Sequence, residues 1–320
     1  MRNSYLILVL ILSSCFSFDN NSLPSYTGAV NEVVIVIDDP LWEGACGDSI
    51  RHYLNSEVPG LSWIEPLFDI IQINTTDFGR IFETHRNLII VQKGEKTNIY
   101  FNTKPYSRNQ WFCIIEYETA RDLQNILGEY LPIISHQIEQ KEQERYDFAG
   151  PPKNPLPSAA KKFNLNFGLP NKYKAVLDTN GFSWFEYNPP DKEIIKGVFV
   201  YEYAGVRPLN AATLLMARDS VLKQFVLGVS DSSYMTTEHQ YTPHVSIHNH
   251  DNLQILRVKS LWKMSNAFMG GSFVSNFISD TANNRVLALE GFLFSPGEDK
   301  RNRMKELEWL ISDFKIRSSK

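Results

Sequence analysis

The chain has 320 residues, a length that suggests two domains. Hydrophobic residues make up 43% of it and aromatic residues 12%, which supplies sizeable cores and excludes a disordered protein. The net charge at pH 7 is only −4, and no basic stripe with interleaved aromatic residues is present, so we expect no nucleic acid partner.

The N-terminus has the pattern of an export signal. Arg2 precedes the apolar run YLILVLIL, residues 5–12, which is too short for a bilayer-spanning helix of ~20 residues. This run leads directly into LSSC, residues 12–15, which resembles a bacterial lipobox. We therefore predict a lipoprotein signal peptide at residues 1–14 and membrane attachment through acyl chains, such as palmitate, on Cys15. An ordinary secretory signal followed by a chance cysteine is the alternative.

The segment after Cys15 is mostly polar and contains Pro24 and Gly28. This composition predicts that residues 15–30 form a flexible tether between the lipid and the folded chain. No dense acidic run follows the cysteine, so we see no signal for surface export. We expect the protein on the periplasmic side of a bacterial membrane, the outer membrane in preference to the inner one.

Residues 31–148 show strands alternating with helices, which predicts an α/β domain. The continuous apolar run VVIVI at residues 33–37 is typical of a central strand buried on both faces. Thr119 is a plausible N-cap for a long helix that ends in the charged stretch QIEQKEQER, residues 137–145, which we expect to be solvated. Further strands are predicted at residues 68–73, 88–91, 99–101 and 111–117, with short helices near residues 48–54 and 78–82.

The stretch AGPPKNPLP, residues 149–157, holds four prolines. Neither a helix nor a strand is expected at that density, so we place a linker at residues 149–160. Residues 161–320 then alternate short strands with a helix at 210–226 and a final amphipathic helix at 298–313, whose lysines and arginines we expect to face outward. This half is predicted to be an α+β sandwich.

The predicted fold class is therefore α/β and α+β, with two domains, each a mixed or antiparallel sheet packed with helices. Two cysteines remain beyond Cys15, namely Cys46 and Cys113. Export makes a disulfide between them possible. We favour two separate thiols, because Cys113 lies in the apolar run WFCII and free cysteine is often buried.

Several blocks of the chain together resemble the Bacteroidota lipoprotein family catalogued as domain of unknown function 4837. Besides the lipobox they are DDPLWEGACGDSIR (38–51), EPLF (65–68), RNLIIVQKG (86–94) and EGFLFSPGEDKRNRMKELE (290–308), so the resemblance covers nearly the whole chain. It implies an exported, lipid-anchored protein with two α/β-type domains, and it implies no activity. AGPPKNPLP interrupts the charged helix that usually joins the halves, which puts the rigidity of that link in doubt.

The second half also resembles the PsbP/Mog1 sandwich. The resemblance rests on element order alone: a strand beginning near Gly181-Phe182, a long helix, a meander, then a strand and a terminal helix. It implies a binding or assembly module.

An acidic turn follows the first predicted strand, where open α/β sheets tend to place ligand sites. Its carboxylates could hold a cation or do acid–base work, and its tryptophan could stack on a ligand. The alternative is structural, because Asp and Pro are turn formers and a helix can be capped by Asp. The candidate ligand-binding residues are Asp39, Trp42, Glu43, Asp48 and Arg51.

Four of the seven histidines lie in EHQYTPHVSIHNHD, residues 238–251. If residues 243–250 form a strand, His244, Ser246, His248 and His250 share one face, with successive positions ~6.6–7 Å apart. His244, His248 and His250 are therefore candidate metal ligands. The alternative is a polar hairpin whose exposed face is rich in histidine, which the flanking Thr, Asn and Asp residues favour.

Searches for a GxSxG elbow, a P-loop and a GxGxxG turn find none of them in the sequence. We expect no cofactor and, in preference to an enzyme, a binding or assembly module of the cell envelope that recognises an envelope protein, a glycan or a small ligand. The alternative is an envelope hydrolase that uses carboxylates near Asp39 or a metal at the histidine cluster.

Overall fold

The computed structural model describes residues 23–205, 209–229, 232–250 and 253–317. The predicted signal peptide and Cys15 lie outside the described residues, so lipid attachment stays a prediction. Within those four ranges, no helix combines the length and the apolar character needed to cross a membrane.

A five-stranded mixed sheet forms the centre of the N-terminal half. Strand β1 (Glu32–Val36) lies between β2 (Asp69–Ile73) and β3 (Asn87–Lys93) and runs parallel to both. Strand β5 (Trp111–Tyr117) continues the parallel order, and β4 (Asn98–Phe101) closes the edge antiparallel to it. The predicted central strand is confirmed, since its apolar residues are buried on both faces of the sheet.

Four helices surround this sheet, and the predicted α/β class is confirmed. They are α1 (Asp39–Trp42), α2 (Ala45–Leu54), α3 (Arg80–Glu83) and α4 (Ala120–Ala149). Helices α2 and α4 cover one face of the sheet with their apolar side chains. Thr119 caps α4 as predicted, because its hydroxyl accepts a hydrogen bond from the Asp122 N–H at 3.2 Å. Cys46 and Cys113 are free and buried in this half.

The charged end of α4 is solvated on one face only, so that prediction was wrong for the other face. Glu142 and Arg145 are buried. The Glu142 carboxylate accepts hydrogen bonds from Arg86 Nε at 2.9 Å, Asn87 Nδ2 at 2.8 Å and Arg145 Nη1 at 2.7 Å. Although the stretch is polar except for Ile138, these contacts bury one face of the helix.

Part of the predicted tether also packs against this half. Ser25 and Thr27 form β-bridges with Arg108 and His85. The Tyr26 ring lies 5.1 Å from the guanidinium carbons of both Arg86 and Arg145, a favourable cation–π distance. Residues 25–27 are therefore held by specific contacts, so the prediction of a flexible tether over residues 15–30 was wrong for this part of it.

An antiparallel sheet, with eight strands among the described residues, dominates the C-terminal half. Its order is β11-β13-β14-β15-β10-β9-β8, and β12 pairs with β13 beyond the end of β11. The strands are β8 (Lys174–Thr179), β9 (Phe182–Tyr187), β10 (Ile195–Ala204), β11 (Met235–Thr237), β12 (His244–His250), β13 (Leu253–Met264), β14 (Gly270–Asp280) and β15 (Arg285–Phe294).

Helix α6 (Ala211–Phe225) covers one face of this sheet with an aromatic-rich core. Helix α7 (Arg301–Ser312) covers the other face together with a small sheet. That sheet consists of β6 (Lys153–Pro155), β7 (Leu165–Pro170) and β16 (Phe314–Ile316). The predicted α+β arrangement is confirmed, although the lysines and arginines of α7 do not all face outward: Arg301 and Lys305 are buried.

The proline-rich segment forms regular structure, which we did not expect. Strand β6 ends at Pro155, at the edge of the small sheet, where a missing N–H is tolerated. Helix α5 (Pro157–Phe163) starts on a proline, whose fixed φ suits the first helical position. The core below α5 also takes in Val58 and Leu61 of the N-terminal half.

Two of the sequence blocks that carry the family resemblance meet where the halves join. The Glu65 carboxylate accepts hydrogen bonds from the backbone N–H groups of Lys300 and Arg301, both at 2.8 Å, and so caps α7. Asp69 forms an ion pair with Arg301 at 2.5 Å. The halves are thus joined by polar contacts that do not depend on the connection after α4.

Candidate functional site

The structure places the acidic-turn candidates in local surface contacts. Arg51 donates to the Asp48 carboxylate at 2.8 Å and lies over the Trp42 ring at 4.6 Å. Asp39 begins α1, and its Oδ1 accepts a hydrogen bond from Gln72 at 3.1 Å, while Glu43 is exposed at the end of the same helix. Arg51, Trp42 and Asp48 are thus brought together, whereas Asp39 and Glu43 are not part of their contact. A ligand site at this turn stays a prediction.

The histidine-rich segment forms a strand, β12, as its alternation required. Val245 and Ile247 point outward and are 41% and 63% exposed. The opposite face carries His244, Ser246, His248 and His250, and it lines a cavity. The alternative expectation of a merely exposed polar face is therefore incomplete, because this face forms one wall of an open cavity.

The geometry gives the metal hypothesis no support. Over the described ranges, no group of three or more His, Cys, Asp or Glu side chains is arranged to hold a metal ion. His248 Nε2 shares a hydrogen bond with the Ser246 hydroxyl at 2.8 Å, so this ring nitrogen already has a partner. Metal binding by His244, His248 and His250 stays a prediction.

The cavity has a volume of about 660 Å³ and lies where the two halves meet. Helix α4 forms one wall, α7 forms another, and β12 with its neighbour β13 forms the third. Cavities of ~300–1,000 Å³ are the size that small-molecule ligands occupy. The site therefore depends on elements from both halves of the chain.

Charged side chains form the floor of this cavity. Lys259 on β13 pairs with Glu308 on α7 at 2.7 Å, and Lys305 on α7 pairs with Glu139 on α4. Arg257 donates through Nε to Asn276 Oδ1 and through Nη2 to Ser312 Oγ, both at 2.8 Å. The floor is thus a set of fixed charges, each held in place by at least one contact across elements.

The pKa values reflect this crowding of cations. Burial opposes ionisation of Glu308, but Lys259, Lys305 and Arg257 hold its pKa at about 2. Burial lowers the pKa of His248, and the positive charges of Arg257 and Lys259 lower it further. At neutral pH the floor therefore presents an ionised Glu308 beneath a neutral His248. Such an arrangement suits holding a polar ligand better than proton transfer through Glu308, because a general acid needs a pKa near the working pH.

A second charged network lies on the other face of the same sheet. Arg218 on α6 donates to both oxygens of Glu290, at 2.8 and 2.7 Å, and both side chains are 0% exposed. Ser275 donates to the same carboxylate at 2.6 Å, and the Arg218 guanidinium lies 3.8 Å from the centre of the Phe273 ring. This network is sealed beneath α6, so we assign it a structural role.

Sequence reasoning missed Arg257, Lys259, Lys305 and Glu308. One signal was present: Arg257 and Lys259 alternate with apolar residues along β13, and Lys305 and Glu308 are spaced to share a helix face. The pattern alone cannot show that these two charged faces meet, because the strand and the helix are distant in sequence.

The comparisons with known proteins bear on the fold and the family. No curated protein matches the chain. One similar solved structure is LpqN, involved in cell envelope biogenesis of Mycobacterium tuberculosis, with 10% identity and a TM-score of 0.30 over 53% of this chain and 87% of that one. Another is a STAR-related lipid transfer protein fragment from Xanthomonas axonopodis, with 8% identity and a TM-score of 0.23 over 44% of this chain and 96% of that one. These scores are too low to support any inference.

Two family models match the chain, and together they span most of the described residues. Residues 26–147 match Domain of unknown function (DUF8532), and residues 154–312 match Domain of unknown function (DUF4837). The expected family is confirmed, but it covers the C-terminal half, whereas the N-terminal sequence blocks fall within the second match. The restriction to Bacteroidota and the likeness to PsbP/Mog1 stay predictions. Over residues 154–312 this chain is therefore similar to the DUF4837 family.

Proposed function

We propose that this protein is a non-enzymatic binding module of the bacterial cell envelope, held to a membrane by lipid on Cys15, and that the cavity between α4, α7 and β12 is its ligand site. The observation that carries the proposal is the cavity floor, where Arg257, Lys259, Lys305 and Glu308 are fixed by contacts between elements. Preorganised polar groups at the base of a cavity are typical of sites that orient a small ligand.

Two further observations support binding over catalysis and the envelope as the location. The low pKa of Glu308 keeps this carboxylate ionised and ion-paired rather than available as a proton donor. The apolar run ending at LSSC supports lipid attachment after export. The occupant of the cavity is expected to be a small polar molecule or a sugar unit of an envelope glycan, because a cavity of about 660 Å³ does not admit a folded partner.

The alternation of β12 provides a matched pair of variants to test the ligand site. Ser246→Trp fills the cavity, whereas Ile247→Trp adds the same ring on the outer face of the same strand. Protein purified from its native membranes is examined by native mass spectrometry. The wild type and Ile247→Trp should carry an additional noncovalent mass that Ser246→Trp lacks. The proposal fails if the wild type carries no such mass or if Ser246→Trp retains it.

The membrane anchor is tested separately by Cys15→Ala. Stable attachment needs more than one acyl chain, each buried methylene adding ~0.8 kcal/mol, and lipoprotein processing supplies several. Loss of the thiol should therefore move the protein from the membrane fraction to the soluble fraction. A Cys15→Ala protein that stays in the membrane fraction contradicts lipid attachment at this residue.

A further inference from the structure

The cavity floor carries more positive than negative charge. Its charged lining residues are Glu139, Arg257, Lys259, Lys305 and Glu308. Each lysine is paired with one carboxylate, Lys259 with Glu308 and Lys305 with Glu139. Arg257 is the third cation, and both of its hydrogen bonds go to neutral acceptors, the Asn276 amide and the Ser312 hydroxyl. Among the residues that the structure describes, one positive charge is therefore left over at the floor.

The Arg257 guanidinium is held in a fixed orientation. Nε and Nη2 are fixed by donation to β14 and α7, each at 2.8 Å, and Nη1 is the nitrogen without a hydrogen bond to any described residue. Arg257 is directly opposite Ser246 in the pairing of β12 with β13, and Lys259 is opposite His244. Directly opposed side chains lie ~4.5–5.5 Å apart at Cβ. The wall of β12 thus adds hydroxyl and imidazole groups beside the free edge of the guanidinium.

We propose that this cavity binds a phosphate group of its ligand at Arg257, an inference that rests on the proposed function because it places the phosphate in the same ligand site. The excess positive charge matches a singly charged phosphate ester. Donors on two sides, Arg257 on the floor and the residues of β12 on the wall, suit the tetrahedral arrangement of phosphate oxygens. The phosphate can belong to a soluble sugar phosphodiester or to a phospholipid headgroup.

The environment of His248 is consistent with a site built for an anion. Burial and the positive charges of Arg257 and Lys259 lower its pKa, against the opposing effect of Glu308. The imidazole is therefore neutral at pH 7, and it takes part in a hydrogen bond with Ser246. It can support the ligand as a neutral hydrogen-bonding group while the charge is supplied by Arg257.

Adjacent residues of β12 offer a matched test. Ser246→Glu places a carboxylate opposite Arg257 and neutralises it from within, whereas Val245→Glu adds the same charge on the outer face. Arg257→Gln removes the cation itself. All proteins are full-length and carry Cys15→Ala, and circular dichroism with thermal melting establishes that each is folded.

Binding is followed by the broadening of the phosphorus NMR line of inorganic phosphate. The wild-type cavity and Val245→Glu should broaden the line equally. Ser246→Glu and Arg257→Gln should weaken binding about tenfold or more, since a hydrogen bond to a charged group contributes ~1.5–3 kcal/mol. An unchanged line with the wild type, or equal binding by Ser246→Glu and Val245→Glu, overturns the phosphate site.

Two additional results separate the possible sources and the two levels of the proposal. The first is the fraction of each protein that sediments with vesicles of phosphatidylcholine containing phosphatidylglycerol. If the phosphate is a lipid headgroup, this fraction should be lower for Ser246→Glu than for Val245→Glu, and if the phosphate is soluble, the two fractions should be equal. Either result supports the site when it is accompanied by phosphate binding. A co-purified ligand that lacks phosphate, lost in Ser246→Trp, would overturn the phosphate inference and leave the cavity as the ligand site.

Discussion

Two charged networks lie on opposite faces of one sheet and differ in what surrounds them. Beneath α6, Arg218 and Glu290 are both 0% exposed and bind each other through two hydrogen bonds. Beneath α7, Lys259 and Glu308 are 15% and 9% exposed, and their neighbour Arg257 has no carboxylate partner among its hydrogen bonds. The difference shows that a buried charge does not by itself indicate a binding site. A charge that lacks a full counter-charge and lies beside an open cavity does.

The register of the sheet explains how the two networks stay separate. Arg257 is opposite Asn276 across β13 and β14, while the next pair, Val258 and Ser275, points to the other face and meets Glu290. A shift of one residue along a strand changes the face. The helix that packs on each face then determines whether the network there is accessible, because α6 covers the Arg218–Glu290 network completely and α7 leaves an opening toward β12.

The largest expected effect is in the sealed network. Glu290→Ala leaves the Arg218 charge buried and unpaired, so we expect the free energy of unfolding to fall by ~3–5 kcal/mol in urea denaturation. The double variant Arg218→Met/Glu290→Leu removes both charges and should recover most of that loss. A cost below ~1 kcal/mol for Glu290→Ala would show that this network is more solvated than the structure indicates.

The open network should give a smaller, pH-dependent effect. The folded-state pKa of Glu308 is about 2, below its usual value of 4.5. Its contribution is therefore fully present above pH 4.5 and is lost as the pH falls toward 2. Glu308→Gln should cost roughly 2–3 kcal/mol at pH 7, and the difference from the wild type should shrink through this window.

Urea denaturation at a series of pH values measures that difference. The matched control is Glu144→Gln, which alters a surface ion pair with Lys141 on α4, where the carboxylate side chain is 66% exposed. It should show a difference that is small and nearly independent of pH. A Glu308→Gln difference that stays constant through the acidic window would contradict the assigned ion pairing.

A further effect concerns the support of α7, the helix that carries Lys305 and Glu308. Glu65→Gln removes the negative charge that caps this helix from the other half of the chain. We expect a loss of ~1–2 kcal/mol in the free energy of unfolding, since cap bonds and the helix dipole both favour a carboxylate there. Glu57→Gln, an exposed position in the same segment, is the control. Equal losses of unfolding free energy in the two variants would show that Glu65 has no special role as the cap of α7.

The smallest effect is expected at the acidic turn. Asp48 is 74% exposed and pairs with Arg51 three residues later. Asp48→Ala should change stability by no more than ~0.5 kcal/mol and should leave phosphate line broadening unchanged. If this variant loses the co-purified ligand, the acidic turn becomes the candidate functional surface.

The sequence predicted elements well where local pattern decides the structure. The VVIVI run became the central strand β1, and Thr119 became the N-cap of α4. In each case the period of apolar residues or a single capping side chain is sufficient.

It failed where a distant partner decides the outcome. Glu142 and Arg145 were predicted to lie in a solvated helix end, yet they are buried in contacts with Arg86, the residue directly before β3. Lys305 was predicted to face outward, yet it forms an ion pair with Glu139 on α4. The sequence around a charged residue does not show whether an opposite charge lies near it in the fold. The floor of the cavity therefore could not be predicted from the sequence pattern alone.

The cap that Glu65 provides for α7 has a consequence for the order in which the molecule is completed. Lys300, at the start of that helix, lies 235 residues after Glu65 in the chain. Synthesis proceeds from the N-terminus, so Glu65 and the residues of α4 are made long before the residues of α7. A chain that stops before residue 300 lacks Lys305 and Glu308, the floor residues that α7 supplies. The complete charged floor can therefore form only after α7 has been synthesised.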